Sequence, residues 1–278
     1  MEGIHGKQIW SVNIAKDCQA PIPLFGFSSS PLVAEDTVFV IAGGQGASLV
    51  AYEAETGRKK WSGGDSAASY GSPQLWEMHG VRQILCFNSE GLAAHELETG
   101  RIAWKIAWPC DSPDVVNVCQ PVVLPSTVDG ELARVFISSG YGRGCALYSL
   151  RRDATDFVAE QIWMTKSLKS KFSSIVVRDG YVYGLDEGIL TCVNLFNGER
   201  AWKRGRYGYG QLLLVADLLL IQSESGEVAL AEASPSGHTE ISRFPALDDR
   251  TWNHPVLTGN LLLVRNDRNA ACYELPSD

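Results

Sequence analysis

No apolar run in this chain approaches the length of a membrane span. The longest, Leu212 to Ile221, is broken by Asp217, and a spanning helix needs roughly 20 residues. The N-terminus, Met1-Glu-Gly-Ile-His-Gly6, lacks a basic stretch followed by an apolar one, so no secretion-signal pattern is present and the expectation is a cytoplasmic protein or a chain trimmed at its start. The seven cysteines include no C-x-x-C and no His/Cys cluster, which argues against structural zinc. Positive charge is also short: 24 Lys and Arg face 32 Asp and Glu, a formal −8, and such a field repels a nucleic-acid backbone. There is no G-x-S-x-G for a nucleophile elbow. The Gly-rich runs at 139–144 and 204–210 lack G-x-G-x-x-G spacing and a following helix, and they read as turns. The five histidines show no metal spacing, and His95, inside an apolar run, reads as structural.

What the chain does have is apolar material, 45% of its residues, enough for a packed core. Its 27 Gly and 12 Pro are spread along the whole length, against any long disordered tail. Cys86, Cys145, Cys192 and Cys272 sit in strand-like apolar runs and read as small buried hydrophobes. Cys110 and Cys119 flank a loop and have the option of bridging in an oxidising compartment. Charge is uneven: residues 151–206 hold ten Lys and Arg against seven Asp and Glu, and Lys166, Lys169 and Lys171 cluster there. A solvated loop and a site for an anionic partner both remain open for that cluster.

Repetition organises the rest. Ala51-Tyr-Glu-Ala-Glu-Thr-Gly57-Arg-Lys-Lys-Trp61 returns as Ala94-His-Glu-Leu-Glu-Thr-Gly100-Arg-Ile-Ala-Trp104 and as Cys192-Val-Asn-Leu-Phe-Asn-Gly198-Glu-Arg-Ala-Trp202. A strand, a tight turn ending in Gly and a second strand ending in Trp make a hairpin. A second phrase opens each unit: Ser30-Pro31, Ser72-Pro73, Gln120-Pro121, Ser174-Ile175, Gln211-Leu212 and His254-Pro255, each followed by a polar turn and a β-rich run. Four antiparallel strands over about 40 to 50 residues make a propeller blade. Six openings predict an all-β propeller of six four-stranded blades in one domain, 1–278. The first five span 27–66, 67–112, 113–167, 168–206 and 207–249, ending at Trp61, Trp104, Trp163, Trp202 and, degenerately, Phe244. The sixth opens at Pro255 and stops a strand short. Gly6-Lys-Gln-Ile-Trp10 matches Gly57-Arg-Lys-Lys-Trp61 in spacing, so the N-terminal segment is expected to pair near Cys272 and close the ring, removing two exposed edges.

The phrase A-x-[DE]-x-x-[TN]-G-x-x-x-W with Ser-Pro openings resembles the repeat of PQQ-like β-propellers. That family includes quinoprotein alcohol dehydrogenases and the propeller lipoprotein of the outer-membrane β-barrel assembly machinery. The resemblance implies a periplasmic or secreted location. It also implies interblade docking roles for Trp10, Trp61, Trp104, Trp163 and Trp202, with Ala51, Ala94 and Cys192 beneath them. Many relatives have eight blades, so a piece of an eight-bladed ring is the alternative. The family's vicinal Cys-Cys and its catalytic Asp with calcium and quinone have no counterpart among these residues, and no catalytic or metal role is assigned.

Residues just before each strand opening are expected to ring the central channel. They include Tyr70, Asn117, Gln120, Phe172, Tyr209, Gln211, Trp252, Asn253 and His254. An aromatic ring beside an uncharged polar ring suits a peptide or a small apolar ligand, although the same residues would equally pack the mouth. The expected function is a non-catalytic, monomeric scaffold for a protein or peptide partner. The alternative is an oxidoreductase using PQQ with calcium on alcohols or sugars.

Overall fold

The computed structural model describes residues 6–78, 80–111, 116–124, 132–153 and 156–276. Apolar alternation interrupted by Gly and acidic turns produces short antiparallel strands throughout. The first sheet comprises β1 (Leu32–Ala34), β2 (Thr37–Gly44), β3 (Ala47–Glu53) and β4 (Lys59–Gly63). The second holds β5 (Gln74–Met78), β6 (Val81–Asn88), β7 (Gly91–Glu96) and β8 (Ile102–Ala107). The third holds β9 (Val122–Leu124), β10 (Ala133–Ser139), β11 (Gly144–Asp153) and β12 (Asp156–Thr165). The fourth holds β13 (Val176–Arg178), β14 (Tyr181–Asp186), β15 (Ile189–Asn194) and β16 (Arg200–Arg206). The fifth holds β17 (Gln211–Val215), β18 (Leu218–Gln222), β19 (Glu227–Glu232) and β20 (Glu240–Pro245). The last has β21 (Val256–Thr258), β22 (Leu261–Arg265) and β23 (Ala270–Glu274). Among the described residues, then, five sheets have four strands and one has three, each strand beside its sequence neighbour.

The repeated phrase is a turn with its own wiring. Gly57 has φ +71°, and its N–H donates to Glu53 O at 2.9 Å while Glu53 N–H donates to Arg58 O at 2.9 Å. The Glu53 carboxylate accepts from Thr56 Oγ1 at 2.7 Å and pairs with the Arg58 guanidinium. Glu96, Thr99, Gly100 and Arg101 repeat every one of these bonds. Each following strand then carries a bulge. Ala51 faces Trp61 but Tyr52 faces Lys59, and the same skip falls beside Ala94, Cys192 and Leu230. A bulge re-aims the next side chain, here the Trp of the phrase. In the fifth sheet the residue opposite Leu230 is Ser242, not the expected Phe244. The loop after Glu232 is longer, which moves the register along.

The strands gather into two compact units. In one, comprising 1–118, 123–134 and 149–160, Phe39, Ile41, Leu49 and Ala51 of the first sheet pack with Ile84, Cys86 and Leu97 of the second. The other face of the first sheet, with Ala47, Val50 and Tyr52, is covered by Val12, Ile14, Cys18 and Ala20. These belong to a segment containing the short helix α1 (Ile14–Asp17), whose first turn is capped by the Asn13 side chain. The Tyr52 hydroxyl and Lys59 both bond Asp17, at 2.6 and 2.8 Å, and they hold its carboxyl below the usual range. In the other unit, comprising 119–122, 135–148 and 161–278, Tyr183, Leu185, Cys192 and Trp202 pack with Leu212, Leu219, Ile221 and Ala229. Leu220, Val228, Leu262 and Val264 form the core that includes the last sheet.

Among the described residues the expected closing strand is not formed. Residues 6–13 carry no strand, and β23 has β22 as its one neighbour among the described strands. Trp10 is instead held by its indole N–H on Ala54 O at 2.7 Å, and the chain then turns into α1. One face of the last sheet carries Val256, Leu261 and Leu263, all exposed. Cys272, expected in the core, lies on that face and is exposed, whereas Cys86, Cys145 and Cys192 are buried. Cys110 and Cys119 are free thiols.

Candidate functional site

The tryptophans of the repeat divide by what their indoles reach. Trp10, Trp61, Trp163 and Trp202 donate to turn carbonyls of Ala54, Leu97, Leu195 and Ser234 at 2.7–3.1 Å. The turn glycines Gly57, Gly100 and Gly198 lie against the rings of Trp10, Trp61 and Trp163, so close that a Cβ would sit under 3 Å from a ring carbon. Trp104 differs: its indole donates to Gln83 Oε1 of its own sheet at 2.7 Å. Ala51, Ala94 and Cys192 face Trp61, Trp104 and Trp202 across the ladder and are fully buried.

The strand openings of the second unit converge on Gln211. This buried amide donates to Phe172 O at 2.9 Å and Trp252 O at 3.0 Å, while its Oε1 accepts from Ser174 N–H at 3.0 Å. Three separate openings are thereby fixed by one side chain. Phe172 lies 5.5 Å from Tyr209 and 5.2 Å from Trp252, centroid to centroid, and Ser174 Oγ meets His254 Nε2 at 3.3 Å. Trp252 is 42% exposed, so part of its ring stays open to solvent beside its contacts with Phe172 and Arg250. The Glu224 carboxylate fixes its edge, accepting from Trp252 Nε1–H at 2.9 Å and from Tyr209 N–H at 3.1 Å. Asn253 and Gln120 are half-buried at their own openings.

Two cations complete this cluster. Lys171 Nζ stands over the rings of Tyr141, Phe172 and Tyr209 at 4.7, 5.0 and 4.9 Å. Its stem passes close to Gly140, where a Cβ would fall 2.8 Å from Lys171 Cβ. Arg250 Cζ lies 4.9 Å from the Trp252 centroid. Lys169, by contrast, is committed to the fully buried Asp186 at 2.8 Å, which Lys203 also contacts at 2.5 Å. Sequence reasoning picked out the three aromatics and Gln211 but not Tyr141, Glu224 or Arg250. In the sequence Lys171 stands out only as part of the lysine cluster with Lys166 and Lys169.

In the first unit the corresponding residues do something else. Tyr70 OH accepts from Phe25 N–H at 3.1 Å, with the two rings 5.9 Å apart. Asn117 is buried and structural: its Nδ2 donates to Asn88 O and Trp108 O at 2.8 and 3.1 Å, and Ser69 Oγ donates to its carbonyl at 2.6 Å. His95 is buried with Nδ1 on Gly100 O at 2.9 Å, and burial lowers its pKa. Burial likewise pushes the Cys86, Cys119 and Cys145 thiols up to about 12, so they stay protonated at neutral pH. Among the described residues no group of three His, Cys, Asp or Glu is gathered to hold a metal.

A family profile described as the outer membrane protein assembly factor BamB matches residues 2–204. This chain belongs to that family. BamB from Moraxella catarrhalis is similar in structure at 16% identity, with TM-score 0.64 over 89% of this chain and 72% of that one. Saccharomyces cerevisiae Sqt1 is similar at 12% identity, with TM-score 0.60 over 88% and 70%. Among curated proteins none matches the sequence. The BamB profile ends before Tyr209, Glu224, Arg250 and Trp252, so half of the aromatic cluster lies outside the matched region.

Proposed function

We propose that this BamB-family propeller is a non-catalytic scaffold that binds a protein partner through the aromatic cluster at the strand openings of its second unit. One observation carries the reading: Trp252 is exposed yet held, by Glu224 at its indole and by Gln211 at its backbone. Binding hot spots are enriched in Trp, Tyr and Arg on surfaces already ordered before the partner arrives. The family description directs the search toward proteins of a bacterial envelope and a periplasmic or secreted location. The scaffold acts as a monomer and uses no cofactor. Both oxygens of Glu224 are already bonded to the protein, a poor start for the carboxylate set that a calcium-bound quinone requires.

Photo-crosslinking from position 252 tests the reading. It should trap a discrete protein, and affinity capture with Trp252→Ala should lose that protein. Equal recovery by both forms contradicts the proposal. Adding PQQ with calcium should leave Tm unchanged, since a ligand at 100 times its Kd would add about 2.7 kcal/mol of stability. An upward shift would establish the quinoprotein alternative instead.

A further inference from the structure

The two cations of the aromatic cluster are not used by the fold. Among the described residues neither Lys171 nor Arg250 has a carboxylate within ion-pair distance, and neither side chain donates a hydrogen bond. This is unusual here, because Lys169, only two residues away, is held by Asp186 and Glu187. A cation–π contact positions an ammonium without consuming its N–H donors. Lys171 is therefore a half-buried cation positioned by three rings, with no acceptor for its N–H donors among the described residues. Glu224, the carboxylate beside them, is already occupied by Tyr209 N–H and the Trp252 indole. The sequence segment 151–206 that contains Lys171 has a basic excess within a chain at −8.

We propose that the cluster binds an acidic peptide segment, seating an apolar or aromatic side chain on Trp252 and placing carboxylates at Lys171 and Arg250. This rests on the scaffold reading and adds the chemistry of the partner. Charge complementarity selects the occupant: a basic segment would meet two uncompensated cations, and a neutral one would leave their donors unmatched.

Selection from a random heptapeptide library displayed on phage, against the full chain, tests it. The expected enrichment is Asp or Glu next to Phe, Tyr, Trp or Leu. The most enriched peptide, made synthetically, should lose about tenfold in affinity when its acids become Asn or Gln, and about as much against Lys171→Gln or Trp252→Ala. Lys171→Arg should retain binding, Gly140→Ala should weaken it by displacing the Lys171 stem, and added salt should weaken it further. Melting curves confirm that each variant is folded. Peptides without acid enrichment, or acid-to-amide changes without effect, overturn the inference, and if such peptides still depend on Trp252 the scaffold reading survives. Peptides and captured protein that are both indifferent to Trp252→Ala overturn both, whereas a selection that yields nothing overturns the acidic-peptide inference alone.

Discussion

Trp104 shows how much can rest on a single side chain. It is 5% exposed, faces the fully buried Ala94 and bonds Gln83, whose other amide atom has no partner among the described residues. Trp104→Ala removes ring packing and strands a buried acceptor, so urea denaturation should show a loss of about 3–5 kcal/mol. Exposed Glu77→Ala should cost under about 0.5 kcal/mol. Similar midpoints for the two would contradict the packing role. His95 makes a prediction in pH. Burial lowers its pKa from the ordinary 6.5, so the folded state resists taking the proton that the unfolded chain accepts. The resulting stability is complete above 6.5 and is lost as pH falls through the folded-state value. Between pH 7 and 5, Tm should therefore fall more steeply in the wild type than in His95→Gln, and parallel slopes would refute that assignment.

The turn-and-bulge hairpin is the element on which the repeat depends. Its spacing was legible because Thr-Gly and Asn-Gly turns impose a backbone sign that few residues tolerate. The acid in the phrase also proves to be part of the turn, accepting from Thr56 or Thr99 and pairing with Arg58 or Arg101. The bulge was not legible, because register is a property of two strands and leaves no mark on either alone. That is why Phe244 was expected where Ser242 stands. The N-terminal phrase misled for a related reason: Gly6 to Trp10 has fourth-strand spacing, but spacing does not supply a ladder. Gly100 tests the element directly. Its φ of +73° is strained for any L side chain, and a Cβ there would meet the Trp61 ring at 2.3 Å. Gly100→Ala should therefore destabilise by more than the roughly 1 kcal/mol expected from a backbone effect alone, and a neutral thermal melt would contradict this geometry.

At the scale of the whole molecule, the repeat accounts for the sheets and the family, while the candidate site depends on residues the repeat does not dictate. Phe172, Tyr209 and Trp252 could be aligned from their offset to the strand openings, and they do meet. Tyr70 and Asn117 share that offset region, yet one is paired with Phe25 and the other is buried in a backbone network. Lys171 was visible only as one of a lysine cluster and Arg250 not at all, because nothing in a linear pattern says which cations lack an ion pair. The scaffold account makes the most direct claim about Trp252, a residue that is exposed and contributes little to the core. Calorimetric titration of the crosslinked partner, once purified, against wild type and Trp252→Ala measures that claim. The account predicts at least about a tenfold loss of affinity with an unchanged Tm, and equal affinities for the two proteins would contradict it.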